Sequence, residues 1–296
     1  RREWHDASSL DLGFVLAPRL NAAGRIQDMS VGIACLTADD EACARALAEN
    51  LDTLNGERRQ VESGMLADAQ VKLNDICPDT RASLCVLDEG WHQGIIGILA
   101  ARLKESHFRP TVVFAPDKDG AIRGSGRSIP EFHLRDALDL VSKRHPDLID
   151  RFGGHAAAAG LTIRHAHFPR FAEAFERVAQ EWLGAEPPER IIETDGPLPD
   201  DCYSLSFAEL LDGQVWGHGF PSPTFSDTFS VVKQRLLGEK HLSLHVEKEG
   251  TTRAAIYFNH SATLPDHVRL VFRPQRNTYR GNTSIRLVIE YAEPAG

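Results

Sequence analysis

The chain is poor in cysteine and has no cysteine pattern: Cys35, Cys43, Cys77, Cys85 and Cys202 form no CxxC pair and leave an odd count. A disulfide framework and a cysteine-rich zinc site are thereby disfavoured, and reduced thiols in the cytoplasm are expected. There is no apolar run long enough to span a bilayer and no secretory signal. Thirteen histidines include no HExxH or comparable ligand spacing, so most read as surface or packing residues. Basic residues are in deficit, 33 against 42 acidic, giving a net charge of −9 and a pI near 5.8. Taken alone, that balance argues against a general nucleic-acid binder, because affinity for phosphate backbones comes largely from Lys and Arg. A starting methionine is also missing, and the opening Arg1-Arg2-Glu3-Trp4 is the expected mark of a fragment lacking its N-terminal part.

What is present is globular. The 296 residues, 42% hydrophobic and 25% charged, are enough for about two domains with ordinary cores. Residues 1–36 read as the end of something larger, with DLGFVLAP extended up to Pro18 and short helical stretches after it. Thr37 is the expected N-cap of a long helix, with Asp39, Asp40 and Glu41 in a first turn that favours acids. Leu47, Leu51, Leu54, Val61 and Met65 then recur at helical spacing, with Arg58 interrupting the stripe. This segment, 37–75, reads as a spacer roughly 50 Å long between two domains. Residues 76–184 alternate strand and helix: strands at 83–88, 110–116, 121–128 and 161–164, helices at 91–104, 134–143 and 168–183. GAEPPER (184–190) is a linker by composition. Beyond it, 185–296 is mainly β after one helix at 204–211, with alternation and turns that suit a small barrel or sandwich.

Four short segments carry chemistry. In FGGHAAAAG (152–160), Gly153 and Gly154 permit a turn and close approach of backbone N–H groups to a ligand, and His155 stands beside them. Small residues around one histidine suit an anion such as phosphate. GSGRS (124–128) places Arg127 in a predicted turn between Ser125 and Ser128, where a guanidinium can grip a terminal phosphate bidentately. APRLNAAGR (17–25) offers Asn21 and Arg25 among small residues, and GWHQGIIGILAARL (90–103) sets His92 ahead of a helix N-terminus. A fifth feature lies in the tail: five arginines between 269 and 286, with no acid and with Phe272 and Tyr279 among them. Basic residues interleaved with aromatics are what a single-strand groove needs, and Arg273, Arg276 and Arg280 are the expected contacts.

In their order and separations the four segments resemble the C-terminal two-thirds of the RecJ family, single-strand-specific DNA exonucleases of the DHH phosphoesterase superfamily. The resemblance implies an α/β DHH-associated domain joined to a mainly β OB-fold barrel, with a long connecting helix and a catalytic-domain remnant ahead of it. It implies a 5′-to-3′ exonuclease of DNA repair and recombination, with Ser125 and Arg127 holding the 5′ phosphate and Asn21 and Arg25 facing the DNA cleft. His155 would reach across the interdomain cleft to the scissile or adjacent phosphate. The Mn²⁺ or Mg²⁺ ligands would belong to the DHH domain, and this chain has no DHH triplet or Asp cluster with an accompanying His at suitable spacing. A RecQ-type helicase and single-strand-binding protein are the partners implied. Two alternatives stay open: an inert single-strand-binding module or truncation, and a cousin that cleaves short oligonucleotides or cyclic dinucleotides.

Overall fold

The computed structural model describes residues 11–184, 188–217, 219–279 and 281–295. Two compact units divide between Arg190 and Ile191.

The first unit opens with helix where extended chain was expected. A π-helical turn, Leu12–Leu16, runs into α1, Ala17–Ile26, with Pro18 in its first turn. Proline ends a strand but is equally at home where a helix begins, since its missing N–H would have no partner there. Helix α2, Ser30–Leu36, ends at Thr37, whose hydroxyl donates to the Ile33 carbonyl at 3.0 Å. Thr37 therefore closes α2 and does not cap the next helix. That cap is Asp40, whose carboxylate accepts from the Cys43 N–H at 2.8 Å.

Helix α3, Glu41–Ile76, would be about 54 Å long at 1.5 Å per residue. It is more than a spacer. Leu51 and Leu54 pack on Ala22 and Ala23 of α1, and Met65, Ala69 and Leu73 join a second cluster with residues of the sheet. Arg58 continues the buried stripe between these clusters instead of breaking it, because its guanidinium meets Glu62 at 2.6 Å and Asn55 at 3.3 Å. Val61 lies off the stripe and is exposed.

A five-stranded mixed sheet follows, in the order β1 (Leu84–Leu87), β2 (Thr111–Pro116), β3 (Ala121–Arg127), β5 (Ala158–Arg164), β4 (Arg151–Gly154). Within this sheet only β1 and β2 run parallel. Helices α5 (Leu134–Arg144) and α6 (Phe168–Leu183) contribute Leu138, Val141, Phe171 and Phe175 to the core on one face. Helix α4 (Ile96–His107) lies with α3 on the other, packing Leu99 and Leu103 with Val86 and Val113. The expected start of α4 at Trp91 is five residues early, since a turn at 93–95, in which the Ile95 N–H donates to the His92 carbonyl at 3.0 Å, precedes the helix, and the Trp91 ring is buried ahead of it. Glu176 of α6 ties the two ends of the domain together, accepting from Ala82 N–H (2.9 Å), Ser83 N–H (2.8 Å) and the Ser83 hydroxyl (2.6 Å).

In the second unit α7 (Leu205–Asp212), capped by Ser204, packs Ala208, Phe207 and Leu211 against or beside strand β9 and the barrel core. Strands β6 (Phe225–Leu237), β7 (His241–Lys248), β8 (Thr251–Tyr257), β9 (His267–Tyr279) and β10 (Asn282–Pro294) close a barrel in the order β10-β8-β7-β6-β9. Alternation along the strands fills it with Phe229, Leu244, Val246, Leu270 and Phe272.

Candidate nucleic-acid interface

The GSGRS segment is strand, not turn, and this change builds the site. Successive residues of a strand face opposite sides, so Ile122, Gly124 and Gly126 turn to the core while Arg123, Ser125 and Arg127 turn away from it. The glycines here serve packing: a Cβ on Gly124 would stand 2.6 Å from Phe114 and Leu161 carbons. Phe152, Gly153 and Gly154 are likewise the end of strand β4, and the reversal comes after them, at 155–157. Gly154, at φ +151°, is the one position of the hairpin that demands glycine, because a Cβ would meet the Ala158 carbonyl at 2.3 Å.

Register sets three rows across the open face. Arg123 lies opposite Thr162, which lies opposite Arg151; Ser125, Gly160 and Gly153 form the next row; Arg127 lies opposite Ala158. The middle row is almost bare of side chains. The N-terminal turn of α4 stands along one side, and Arg25 arrives from α1, so a cleft of about 540 Å³ is lined by four arginines over a glycine floor. Contact between α1 and the loop before α4 is backbone on backbone. A Cβ on Gly94 would be 2.0 Å from the Arg25 carbonyl oxygen, and Arg25 Nη1 donates to the Gly94 carbonyl at 3.4 Å. Gly97 allows α4 to meet the arginine site closely: a Cβ there would stand 3.0 Å from Ser125 Oγ and 3.1 Å from Arg127 Nη2.

Arg127 Nη1 donates to the Gly126 carbonyl at 2.8 Å and to Ser125 Oγ at 3.3 Å. Arg127 and Arg25 are half-buried, and among the described residues neither has a carboxylate within ion-pair distance. Burial, and then the charge of Arg25, lower the Arg127 pKa from its ordinary value; burial, and then Arg58, lower that of Arg25. Arginine remains protonated at neutral pH under such shifts. Glu62 opposes the shift at Arg25 from beyond ion-pair distance, and Arg127 has no such acid near it, so the two desolvated guanidinium groups leave the cleft with an excess of positive charge that suits an anion.

The site residues expected from sequence do not all meet here. Arg25, Ser125, Arg127 and Gly153 line the cleft, and Gly154 directs the chain out of it. Asn21 is exposed, one turn before Arg25 on α1. His92 is exposed outside the lining, its Nδ1 accepting from the Gly94 N–H at 3.1 Å. His155 is exposed at the hairpin tip, its Nδ1 accepting from the Ala157 N–H at 3.3 Å. Ser128 is buried, with its hydroxyl given to the Phe132 carbonyl at 2.7 Å, so it is turned from the cleft. Arg123, Arg151 and Thr162 were missed by sequence reasoning. The signal was there in the alternation Arg123-x-Ser125-x-Arg127, and reading a turn concealed it.

On the barrel, Arg273 and Arg276 of β9 are divided and paired. Arg273 meets Glu290 at 2.8 Å and the Thr224 hydroxyl at 3.1 Å; Arg276, at odd separation and so on the other side of the strand, is 4.0 Å from Asp212. Burial raises the Asp212 carboxyl pKa, and Arg276 opposes the shift. Phe272, expected among the groove aromatics, is wholly buried in the barrel. Arg280 and the Tyr279 side chain lie outside the described residues.

A DHH-associated domain followed by an OB barrel is the class that this architecture defines: residues 80–181 match the DHHA1 domain and residues 194–291 the RecJ OB domain. The single-stranded-DNA-specific exonuclease RecJ of Dickeya dadantii is 43% identical over 98% of this chain and 53% of its own length. That of Escherichia coli is 40% identical over 99% of this chain and 53% of its own length. The crystal structure of Thermus thermophilus RecJ with Mn²⁺ is similar with a TM-score of 0.79 at 27% identity, covering 98% of this chain and 42% of that one. The chain belongs to the RecJ family. It spans about half the length of the curated relatives it matches, not the two-thirds that motif order implied. RecJ structures have been solved with Mn²⁺ and with Mg²⁺. Among the described residues no three His, Cys, Asp or Glu side chains are grouped to hold a metal, so the donor set here does not fit one. No described helix is long and apolar enough to cross a membrane.

Proposed function

We propose that this chain is the end-gripping and strand-holding part of a 5′-to-3′ single-stranded-DNA exonuclease. The observation that carries this reading is the half-buried Arg25–Arg127 pair, neither in an ion pair among the described residues, over a glycine floor. A terminal phosphate carries more charge than an internucleotide one and presents oxygens on several sides. It can accept from the Arg127 fork, from the Ser125 hydroxyl and from the first N–H groups of α4, which no helical carbonyl satisfies. His155 and Asn21, both exposed, are free to contact the strand leaving that pocket. The Mn²⁺ or Mg²⁺ ligands belong, in this reading, to a DHH domain in the part of the relatives that this chain does not span; bound metal would activate water for phosphodiester hydrolysis. A helicase of the RecQ type and single-strand-binding protein as partners rest on family resemblance alone.

The test is equilibrium binding of 5′-phosphorylated and 5′-hydroxyl single strands by the wild-type chain and by Arg127→Ala. The expected result is a preference for the phosphorylated end that Arg127→Ala reduces by about tenfold or more, as for loss of charge-assisted hydrogen bonds. Equal losses on the two ligands would make Arg127 a general backbone contact and reject the terminal-phosphate assignment.

A further inference from the structure

The cleft is larger and more cationic than one phosphate requires. Arg127 and Arg123 are four residues apart on one straight strand, so at 3.3–3.4 Å per residue their Cα atoms are about 13 Å apart. Between them lies the Ser125–Gly160–Gly153 row, where a chain can rest directly on the main chain. Beyond it Arg123 and Arg151 flank Thr162 from the two neighbouring strands. Arg151 Nε donates to Thr162 Oγ1 at 3.2 Å, and Arg123 is held 3.2 Å from Asp117. Asp117 is in turn fixed by the Lys118 N–H at 3.0 Å and by Gln93 Nε2 at 3.3 Å. Two guanidinium groups and one carboxylate leave this row with an excess positive charge. The carboxylate orients Arg123 while making the row a weaker anion site than the Arg25–Arg127 pair.

We infer that Arg123, Arg151 and Thr162 form a second phosphate subsite, which takes an internucleotide phosphate of a single strand whose terminal phosphate lies at Arg127. The assignment rests on the terminal-phosphate reading for its starting point. A pyrophosphate link is too short to join rows so far apart, which favours the next phosphates of a strand over the β- or γ-phosphate of a nucleoside triphosphate. The subsite would make the cleft count nucleotides from the 5′ end: a mononucleotide fills the first position only, and a short oligonucleotide fills both.

The experiment is calorimetric titration of the full 296-residue chain, in chelator, with pT, pTpT, pTpTpT and dTTP. For the wild type, affinity should rise about tenfold on going from pT to the longest oligonucleotide, one added charge-assisted contact. In Arg123→Gln/Arg151→Gln the ratio of those affinities should collapse towards one, and Arg123→Lys/Arg151→Lys should restore most of it. Arg127→Ala should weaken all the phosphorylated ligands together. A wild-type ratio near one, or a ratio that survives in the double glutamine variant, overturns the second subsite and leaves the terminal pocket standing. A dTTP affinity above that of pT that depends on Arg123 and Arg151 overturns the internucleotide assignment. If Arg127→Ala changes nothing while the length step still requires Arg123 and Arg151, the terminal-phosphate reading fails and the second subsite survives.

Discussion

Gly97→Ala separates stability from function at this site. Gly97 lies in the first turn of α4, and its φ is outside the left-handed region, so alanine is conformationally acceptable. In a helix interior alanine is worth about 0.8–1.0 kcal/mol over glycine, and less in a first turn. Against this stands the new methyl, 3.0 Å from Ser125 Oγ and 3.1 Å from Arg127 Nη2. Both obstacles are the far ends of side chains, joined to each other by the 3.3 Å Arg127–Ser125 hydrogen bond. A serine hydroxyl can change rotamer and a guanidinium can swing by a few tenths of an ångström, so the fold yields at a cost of about 0.5–1.5 kcal/mol for an off-rotamer side chain. The two terms nearly cancel. Thermal unfolding should therefore move by only a few degrees in either direction. Phosphate binding would have no such compensation, because the groups that yield are the ones proposed to grip the ligand. Loss of one charge-assisted bond of about 1.5 kcal/mol predicts roughly tenfold weaker binding of a 5′-phosphorylated strand. Calorimetric melting and binding titration on the same sample test both halves. Unchanged affinity would show that Arg127 and Ser125 do not hold the phosphate in this geometry; a stability loss of several kcal/mol would show that the contact is rigid.

Further outcomes follow from single features. The chain alone, with Mn²⁺ or Mg²⁺, should release no nucleotides from a 5′-phosphorylated single strand, because its described residues offer no metal-ligand group; metal-dependent release would reject that. Glu176→Ala should destabilise the first unit by about 3 kcal/mol or more, since it strands the Ala82 and Ser83 N–H groups in the core; a denaturant midpoint close to wild type would refute it. Arg273→Glu with Arg276→Glu should weaken binding of a long single strand only modestly. Its salt slope should fall by less than the roughly 0.7 per lost contact of a free arginine, because Glu290 and Asp212 already offset these charges. A fall of two full contacts would show that both pairs open to receive DNA.

Much of the fold was legible because it rests on local periodicity. The helices expected at 134–143 and 168–183, the mainly β character of the second unit and the long helix all follow from spacing, and the structure places the helices within a few residues of expectation. Errors arose where one residue type serves two geometries. Pro18 suits a strand stop by sequence and here begins a helix; Thr37 closes one helix and Asp40 caps the next. Arg58 looked like a break in an apolar stripe, yet a residue 58–62 ion pair on one helix face allows a charge to continue it. The glycines of GSGRS and FGGH suggest turns by sequence. Four of their positions are strand, where missing side chains let Phe114, Leu134 and β5 come close or leave a floor for a ligand.

Charge shows the deeper reason why linear sequence is a partial guide to the site. Seen along the chain, the basic feature is the acid-free stretch 269–286, and the cleft arginines at 25, 123, 127 and 151 are scattered among acids. In space the relation reverses. Residue alternation splits the stretch between two sides of β9, and acids from α7 and β10, distant along the chain or across the hairpin, come to meet Arg273 and Arg276. Antiparallel pairing of β3, β5 and β4 gathers Arg123, Arg127 and Arg151 on one face, while a backbone contact at Gly94 brings Arg25 from a separate helix. A protein of net charge −9 can thus hold a strongly anion-attracting cleft, because the field at short range is set by the nearest unpaired charges and by their burial. The same surplus of acid elsewhere opposes nonspecific adhesion to duplex or long strands. It confines attraction to the place where desolvated arginines outweigh it, as the proposed recognition of a 5′ end among many internal phosphates requires.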